Sequence, residues 1–200
     1  MLITPQIQRN LNSFLDGVQF TIHKGGTRSG KTYSILESLI LLATTDKTPT
    51  LTSVVAMTYP HLRKGAIKDF TDIMKREKQW SDRNWNGSIF TYTFPNGSKI
   101  EFFPADSDKV HGAQRDRLFI NEAQFIKYEA ARQLFVRTSG SVYIDYNPIR
   151  QFWIDENIIQ NPAYEGCWKL YHSTYKNNPY LSNEQIRNIE SNQKDEAWWQ

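Results

Sequence analysis

Two hundred residues is the length of one domain, or of one with a small appendage, and is enough chain to bury a sizeable core. With 39% hydrophobic, 14% aromatic and 22% charged residues, and a net charge of only +3 from 24 basic and 21 acidic side chains, the composition excludes a disordered tail and does not by itself demand an anionic partner. The longest apolar run, residues 39–43, is too short to span a bilayer, no basic-then-apolar leader opens the chain, and the single cysteine, Cys167, excludes an intrachain disulfide and the usual thiolate zinc clusters.

Neither export nor membrane insertion is therefore expected, and a reducing cytoplasm fits. In chain order, Val18, Phe20 and Ile22 alternate with polar residues at strand spacing and run into a glycine-rich stretch. Leu36, Leu39, Ile40 and Ala43 then repeat at helical spacing, and residues 51–58 (LTSVVAMT) form an apolar run of the buried-strand kind, completing a βαβ unit. Leu62, Ala66, Phe70, Ile73 and Met74 mark a second helix running towards Trp80, and residues 88–103 read as a hairpin turning at Asn96-Gly97. Strands are expected at 117–121 and 141–146 with a helix over about 123–135 between them, then a helix at 152–160 and a strand at 168–171. Ser182 with Gln185 three residues on makes a capping box for a last helix. Strands alternating with helices predict a mostly parallel sheet covered on both faces, with the hairpin as an antiparallel extension. Up to residue 175 no linker interrupts the pattern, so 1–175 is read as one domain and 176–200 as a helical arm. Trp198 and Trp199 hint at packing against further sequence.

Gly25-Gly26-Thr27-Arg28-Ser29-Gly30-Lys31-Thr32 satisfies the phosphate-loop pattern G-x-x-x-x-G-K-[ST] and sits between a predicted strand and a predicted helix, as its mechanism requires. Gly25 and Gly30 let the backbone curl so that N–H groups and a helix N-terminus cradle phosphate oxygens. Lys31 is placed to reach the β- and γ-phosphates of ATP, and the Thr32 hydroxyl to meet Mg²⁺. Arg28, inside the loop, is either a γ-phosphate sensor or a solvated surface arginine. Some 90 residues on, the apolar strand Leu118-Phe119-Ile120 ends in Asn121-Glu122, where a P-loop enzyme needs a metal-holding group and a base. Asn121 keeps an oxygen for a magnesium-bound water but gives up a full negative charge, so weaker metal affinity is expected. Glu122 is read as the base that deprotonates attacking water, which implies hydrolysis; the alternative is a glutamate that starts the next helix.

These residues resemble the ATPase portion of the large terminase subunit of tailed bacteriophages. The carriers are GGTRSGKT, residues 110–123 (VHGAQRDRLFINEA), the strand end 144–148 (IDYNP) followed by Phe152-Trp153, and residues 173–181 (STYKNNPYL), so the resemblance covers nearly the whole chain. It implies a P-loop NTPase of the α/β class with a RecA-like core, using ATP and Mg²⁺ to translocate double-stranded DNA into a viral procapsid in the host cytoplasm. The partners implied are the portal protein and the small terminase subunit, with the chain itself a homo-oligomeric ring when assembled, or a monomer alone, and no membrane. Lys31, Thr32 and Arg28 fall on the family's phosphate loop and Glu122 on its catalytic glutamate, whereas Asn121 departs from the more usual aspartate. Residues 146–147 fall on its coupling motif, making Asn147 the candidate relay of the γ-phosphate state; an Asn-Pro turn is the other reading. The family's nuclease domain would follow this sequence, so no DNA cleavage is expected from it. A neighbour's arginine often completes a ring ATPase's site, and Arg115, Arg117 and Arg137 are the candidates.

Two other functions compete: a P-loop kinase, for which no acceptor pocket or arginine-rich lid is visible, and an ATP-binding switch with little turnover because of Asn121. Several other features are read as structural: the basic stretch 61–83 as a solvated helix face, Cys167 as a buried thiol, His172 as a strand or surface residue, and Tyr92, Phe94, Phe102 and Phe103 as core.

Overall fold

A computed structural model describes residues 2–148 and 151–191 of the chain. Eight strands form one sheet in the order β3-β4-β5-β2-β6-β7-β1-β8. These are β1 (Phe20–Gly25), β2 (Leu51–Ala56), β3 (Trp85–Asn86), β4 (Thr91–Thr93), β5 (Lys99–Pro104), β6 (Arg117–Ile120), β7 (Val142–Tyr146) and β8 (Trp168–Ser173). The six strands from β5 to β8 in that order are parallel, and β4 and β3 extend them antiparallel through the expected hairpin at Asn96-Gly97. Gly97 takes φ +87°, a left-handed turn conformation that suits glycine.

Alternation along the strands splits the core into two layers. Phe119 and Tyr143 face one cluster with Ile35, Leu39 and Phe70, while Leu118, Ile120, Val142 and Ile144 face the other with Leu134 and Phe135. Each fully buried apolar side chain of this size contributes about 1.5–3 kcal/mol, so both faces hold the sheet firmly. The first layer is closed by α2 (Lys31–Thr45) and α4 (Ala66–Arg76), the second by α5 (Tyr128–Val136) and the turn Asp155–Ile159.

Four elements depart from expectation. An unanticipated helix, α1 (Pro5–Leu15), begins on the Thr4 N-cap with Pro5 in its first turn. Its inward face carries Gln6, Asn10 and Ser13 beside Ile7, so its apolar period is broken by polar groups that bond to the rest of the domain. Asn10 donates to the Ser34 carbonyl (3.2 Å) and the Ser38 hydroxyl (3.1 Å), and lies 2.6 Å from His23 Nε2. The second predicted helix is two, α3 (Tyr59–Lys64) and α4, because Gly65 leaves helical geometry at φ −109°, ψ −105°. The helix expected over 123–135 starts instead with a 3₁₀ turn at Ala123–Phe125, and α5 follows after a break. The segment expected to be helical at 152–160 is wound at Asp155–Ile159 with i→i+5 bonds, such as Gln160 N–H to the Asp155 carbonyl at 2.9 Å. The capping box of α6 (Asn183–Ser191) forms as expected: the Gln185 backbone N–H donates to the Ser182 hydroxyl (3.2 Å) and the Ser182 backbone N–H to Gln185 Oε1 (2.9 Å). Within the sheet, the C-terminal ends of β1, β6 and β7 lie side by side, which is where an open parallel sheet presents its ligand crevice. Trp198 and Trp199 lie outside the described residues.

Candidate phosphate-binding and hydrolytic site

The glycine-rich loop leaves β1 and enters α2, whose first residue is Lys31. Gly25 is fixed by packing: a Cβ there would stand 2.1 Å from the Ser173 carbonyl of β8. Gly30, the N-cap of α2, takes φ +82°, which favours glycine. Arg28 also takes a positive φ of 63°, a conformation that is uncommon for a side chain of that size and concentrates at functional sites. Three separate segments hold the loop in this shape. Gln6 of α1 donates to the Ser29 carbonyl (3.0 Å), the Ser173 hydroxyl to Ser29 Oγ (3.2 Å), and Asn178 to the Arg28 carbonyl (2.9 Å).

The Lys31 ammonium is buried inside this loop and donates to the Gly25 carbonyl (2.7 Å), the Gly26 carbonyl (2.9 Å), Ser29 Oγ (3.2 Å) and Asn147 Oδ1 (3.0 Å). Burial pushes its pKa down, while Asp145 and then Glu122 push it back up. Next to it Thr32 donates its hydroxyl to Asp145 Oδ2. Asp145 stands near the end of β7, 1% exposed, and accepts further hydrogen bonds from the Glu122 backbone N–H (2.6 Å to Oδ1) and from the Asn121 amide (3.1 Å to Oδ1, 3.3 Å to Oδ2). Burial raises its pKa, opposed by Lys31, Thr32, the Glu122 N–H and Asn121 in that order. Asn121 thus turns its amide nitrogen towards Asp145 and Thr32, from whose hydroxyl it is 3.4 Å. The sequence alone assigns Asp145 no role, because an acid near a strand end carries no signal until its neighbours are known.

Glu122 follows directly and occupies a left-handed conformation, φ 54°, ψ 52°, held by its N–H bond to Asp145. Its carboxyl is half-buried, and burial followed by the Asp145 charge raises its pKa, with His61 and Lys31 opposing. A carboxylate moved up towards neutrality is better matched to taking a proton from water at physiological pH. Glu122 is the N-cap residue of the 3₁₀ turn Ala123–Phe125, but its side chain makes no capping hydrogen bond there, and α5 begins several residues later.

These residues gather on one cleft of about 410 Å³, lined by Thr27, Arg28, Gly30, Lys31, Thr32, Glu122, Asp145 and Asn147 among others. Its outer wall was not anticipated. There the Arg76 guanidinium lies 5.5 Å from the Tyr33 ring centroid and 5.2 Å from that of Tyr180, and donates to the buried Glu37 (2.6 Å), which also accepts from the Tyr180 hydroxyl (3.0 Å). No group of three or more histidine, cysteine or acidic residues able to cage a metal occurs among the described residues. A hydroxyl beside a single buried carboxylate is the sparse, all-oxygen protein set that Mg²⁺ takes when phosphates and water fill its other positions.

The three arginine candidates for a neighbour's site lie elsewhere. Arg117 opens β6 at the opposite end of the sheet and is 5% exposed, with its guanidinium bidentate to Asp46 at 2.7 Å for both contacts. Arg115, 2% exposed, donates to the Leu134, Lys109 and Ala113 carbonyls. Arg137 bonds back to Gln133 at the end of α5, beside Arg115. All three thus lie away from the chain's own cleft, Arg115 and Arg117 being buried and bonded within the fold. In the basic stretch, Lys68 pairs with Asp72, Arg76 with Glu37 and Glu77, and Arg63 and Lys75 lie over Phe90 and Trp80. Tyr92, Phe94, Phe102 and Phe103 are core residues, as expected, and His172 is an exposed strand residue. Cys167 is half-buried and not, as expected, buried. Among the described residues no helix is long and apolar enough to cross a membrane.

Residues 22–200 match a family model described as terminase large subunit, T4likevirus-type, N-terminal. The fold is similar to that of the large terminase from a thermophilic bacteriophage, solved in complex with ATP-gamma-S, with TM-score 0.77 and 17% identity over 96% of this chain and 49% of that one. It is also similar to the HK97 bacteriophage large terminase (TM-score 0.62, 11% identity, 97% of this chain and 47% of that one). The Thermus phage P74-26 large terminase ATPase domain matches with TM-score 0.57 and 14% identity over 89% of this chain and 83% of that one. The chain spans about half the length of the first two of these proteins. A search of curated proteins finds no match.

Proposed function

Because the chain belongs to the T4likevirus-type terminase large subunit family, matching its N-terminal part over residues 22–200, we propose that it hydrolyses ATP and that this hydrolysis drives double-stranded DNA into a viral procapsid. The observation that carries the proposal is the cleft itself: a buried cation, a hydroxyl, a buried carboxylate and a strained, half-buried glutamate converge on a loop shaped for phosphate. The thermophilic-phage relative's complex with ATP-gamma-S supports nucleotide as the ligand.

In this reading the loop N–H groups from Gly25 to Thr32 hold the phosphates, and Lys31 exchanges its carbonyl and Asn147 partners for β- and γ-phosphate oxygens. Thr32 and the Asn121–Asp145 corner would hold Mg²⁺, whose charge would offset that developing on the transferring phosphoryl group. Glu122 takes a proton from the attacking water, and Arg28 faces the γ-phosphate from within the loop. Asn147, bonded to Lys31 in the free loop, loses that partner when phosphate arrives, which suits it to relay nucleotide state along β7. A carboxylate beside Asn121 counters the charge deficit on which a turnover-free switch would depend. Double-stranded DNA, the portal protein and the small terminase subunit are the proposed partners, in a homo-oligomeric ring in the host cytoplasm. Residues 1–175 are proposed as the ATPase domain and 176–200 as an arm, whose first turn already touches the loop through Asn178.

The test is product analysis with Mg-ATP over a range of protein concentrations, with and without double-stranded DNA. Free phosphate whose specific rate rises with concentration is the expected result. Phosphate carried on an acceptor would replace the proposal with a kinase.

A further inference from the structure

The following rests on the ATP reading above and deepens it. At the end of β6 the chain places Asn121, which is uncharged, yet the site does not lack an acid. Among the described residues the buried carboxylates are Glu37 and Asp145, and the Glu37 oxygen that makes hydrogen bonds is taken by Arg76 and Tyr180. Asp145 alone of the two reaches the Thr32 hydroxyl. It does so from β7, the strand hydrogen-bonded to β6 on one side and to β1 on the other, so it stands between the phosphate loop and Asn121.

Asn121 and Asp145 also fit each other chemically. The Asn121 amide, 3.1 and 3.3 Å from the two carboxylate oxygens, donates to both, and the Glu122 N–H is a further donor at 2.6 Å. An aspartate at position 121 would set a second carboxylate at that same short distance, where two like charges do not both ionise. An asparagine removes the repulsion and fixes the remaining carboxylate in one orientation.

We propose that the carboxylate holding Mg²⁺ has moved one strand across the sheet: Asp145 supplies it beside Thr32, and Asn121 is the residue that positions it. The carboxylate missing from the end of β6 is then supplied from β7, at a position from which its backbone partner is the N–H of Glu122. That contact ties the metal-holding group to the general base through one hydrogen bond.

Mn²⁺ binding, followed by the electron paramagnetic resonance of free Mn²⁺ in the presence of ADP, tests this without reliance on turnover. Asp145→Asn, nearly the same shape, should weaken Mn²⁺ binding by about 10- to 100-fold, with metal-free ADP binding changed far less. The exchange variant Asn121→Asp with Asp145→Asn, which restores one acid and one amide at the same contact, should recover most of the loss. Unchanged Mn²⁺ affinity in Asp145→Asn would overturn the assignment, as would a folded exchange variant as weak as the single one. An unsubstituted chain that binds no nucleotide, with or without Mn²⁺, would overturn the ATP reading and this inference together, whereas failure of the variants alone leaves the ATP reading standing.

Discussion

Two titratable residues of opposite behaviour sit near the cleft. Asp69, half-buried on α4 and lining the cleft, has its pKa raised to about 6, by burial and by the nearby charges of Asp72 and Asp145, with Lys68 opposing. His23, fully buried on β1, is lowered to about 3 by burial, Lys31 and Arg9. Between about pH 4 and pH 6 the folded state holds the Asp69 proton more tightly than the unfolded state, so stability from this group falls as pH rises. Over the same window the unfolded chain protonates His23 and the folded chain does not, so stability from His23 rises with pH. The two slopes, each at most about 1.4 kcal/mol per pH unit, oppose each other. Asp69→Asn removes one of them. Urea denaturation should show the variant equal to the parent near pH 4 and progressively more stable than it towards pH 6, with the difference constant above that; a difference independent of pH would contradict the assignment.

At the scale of elements, the sheet is pinned at the end remote from the cleft by Arg117 of β6 and Asp46 in the turn that leads to β2. Burial works against the Asp46 charge, but hydrogen bonds from Arg117 and Thr50 hold its pKa below the usual carboxylate value. Asp46 is part-buried and keeps its Thr50 bond, so Arg117→Ala should cost about 1.5–3 kcal/mol in chemical denaturation while the affinity for ADP of the folded variant is unchanged. A neighbour-activating role would reverse that pattern, with stability kept and turnover lost. Which end of the sheet Arg117 opens could not be read from its motif, because a strand's place and direction in the sheet are set by pairing with residues remote in sequence. The βαβ order, the hairpin and the α6 capping box were legible, since each rests on local periodicity or on one turn or capping signal. α1 was not, because apart from Ile7 the side chains it buries are polar and take their meaning from partners remote in sequence, Ser29, Ser34 and Ser38 among them. Nor was the split at Gly65, where an unbroken apolar period masks a backbone break.

For the molecule as a whole, the loop residues and Glu122 were legible because a fixed spacing encodes them, while Asp145 and the Tyr33–Arg76–Tyr180 wall arise only when the sheet and the segment after β8 close around the loop. Family membership and the shared fold fix the architecture, and the chemistry proposed for it depends on one group above the others. Glu122→Gln keeps the shape and removes the base. Phosphate release from Mg-ATP by this variant and by the unsubstituted chain, measured beside ATP binding, is the most direct test. The account predicts ATP bound with similar affinity and phosphate release reduced by about 10²- to 10⁴-fold; release at the parent rate would contradict it.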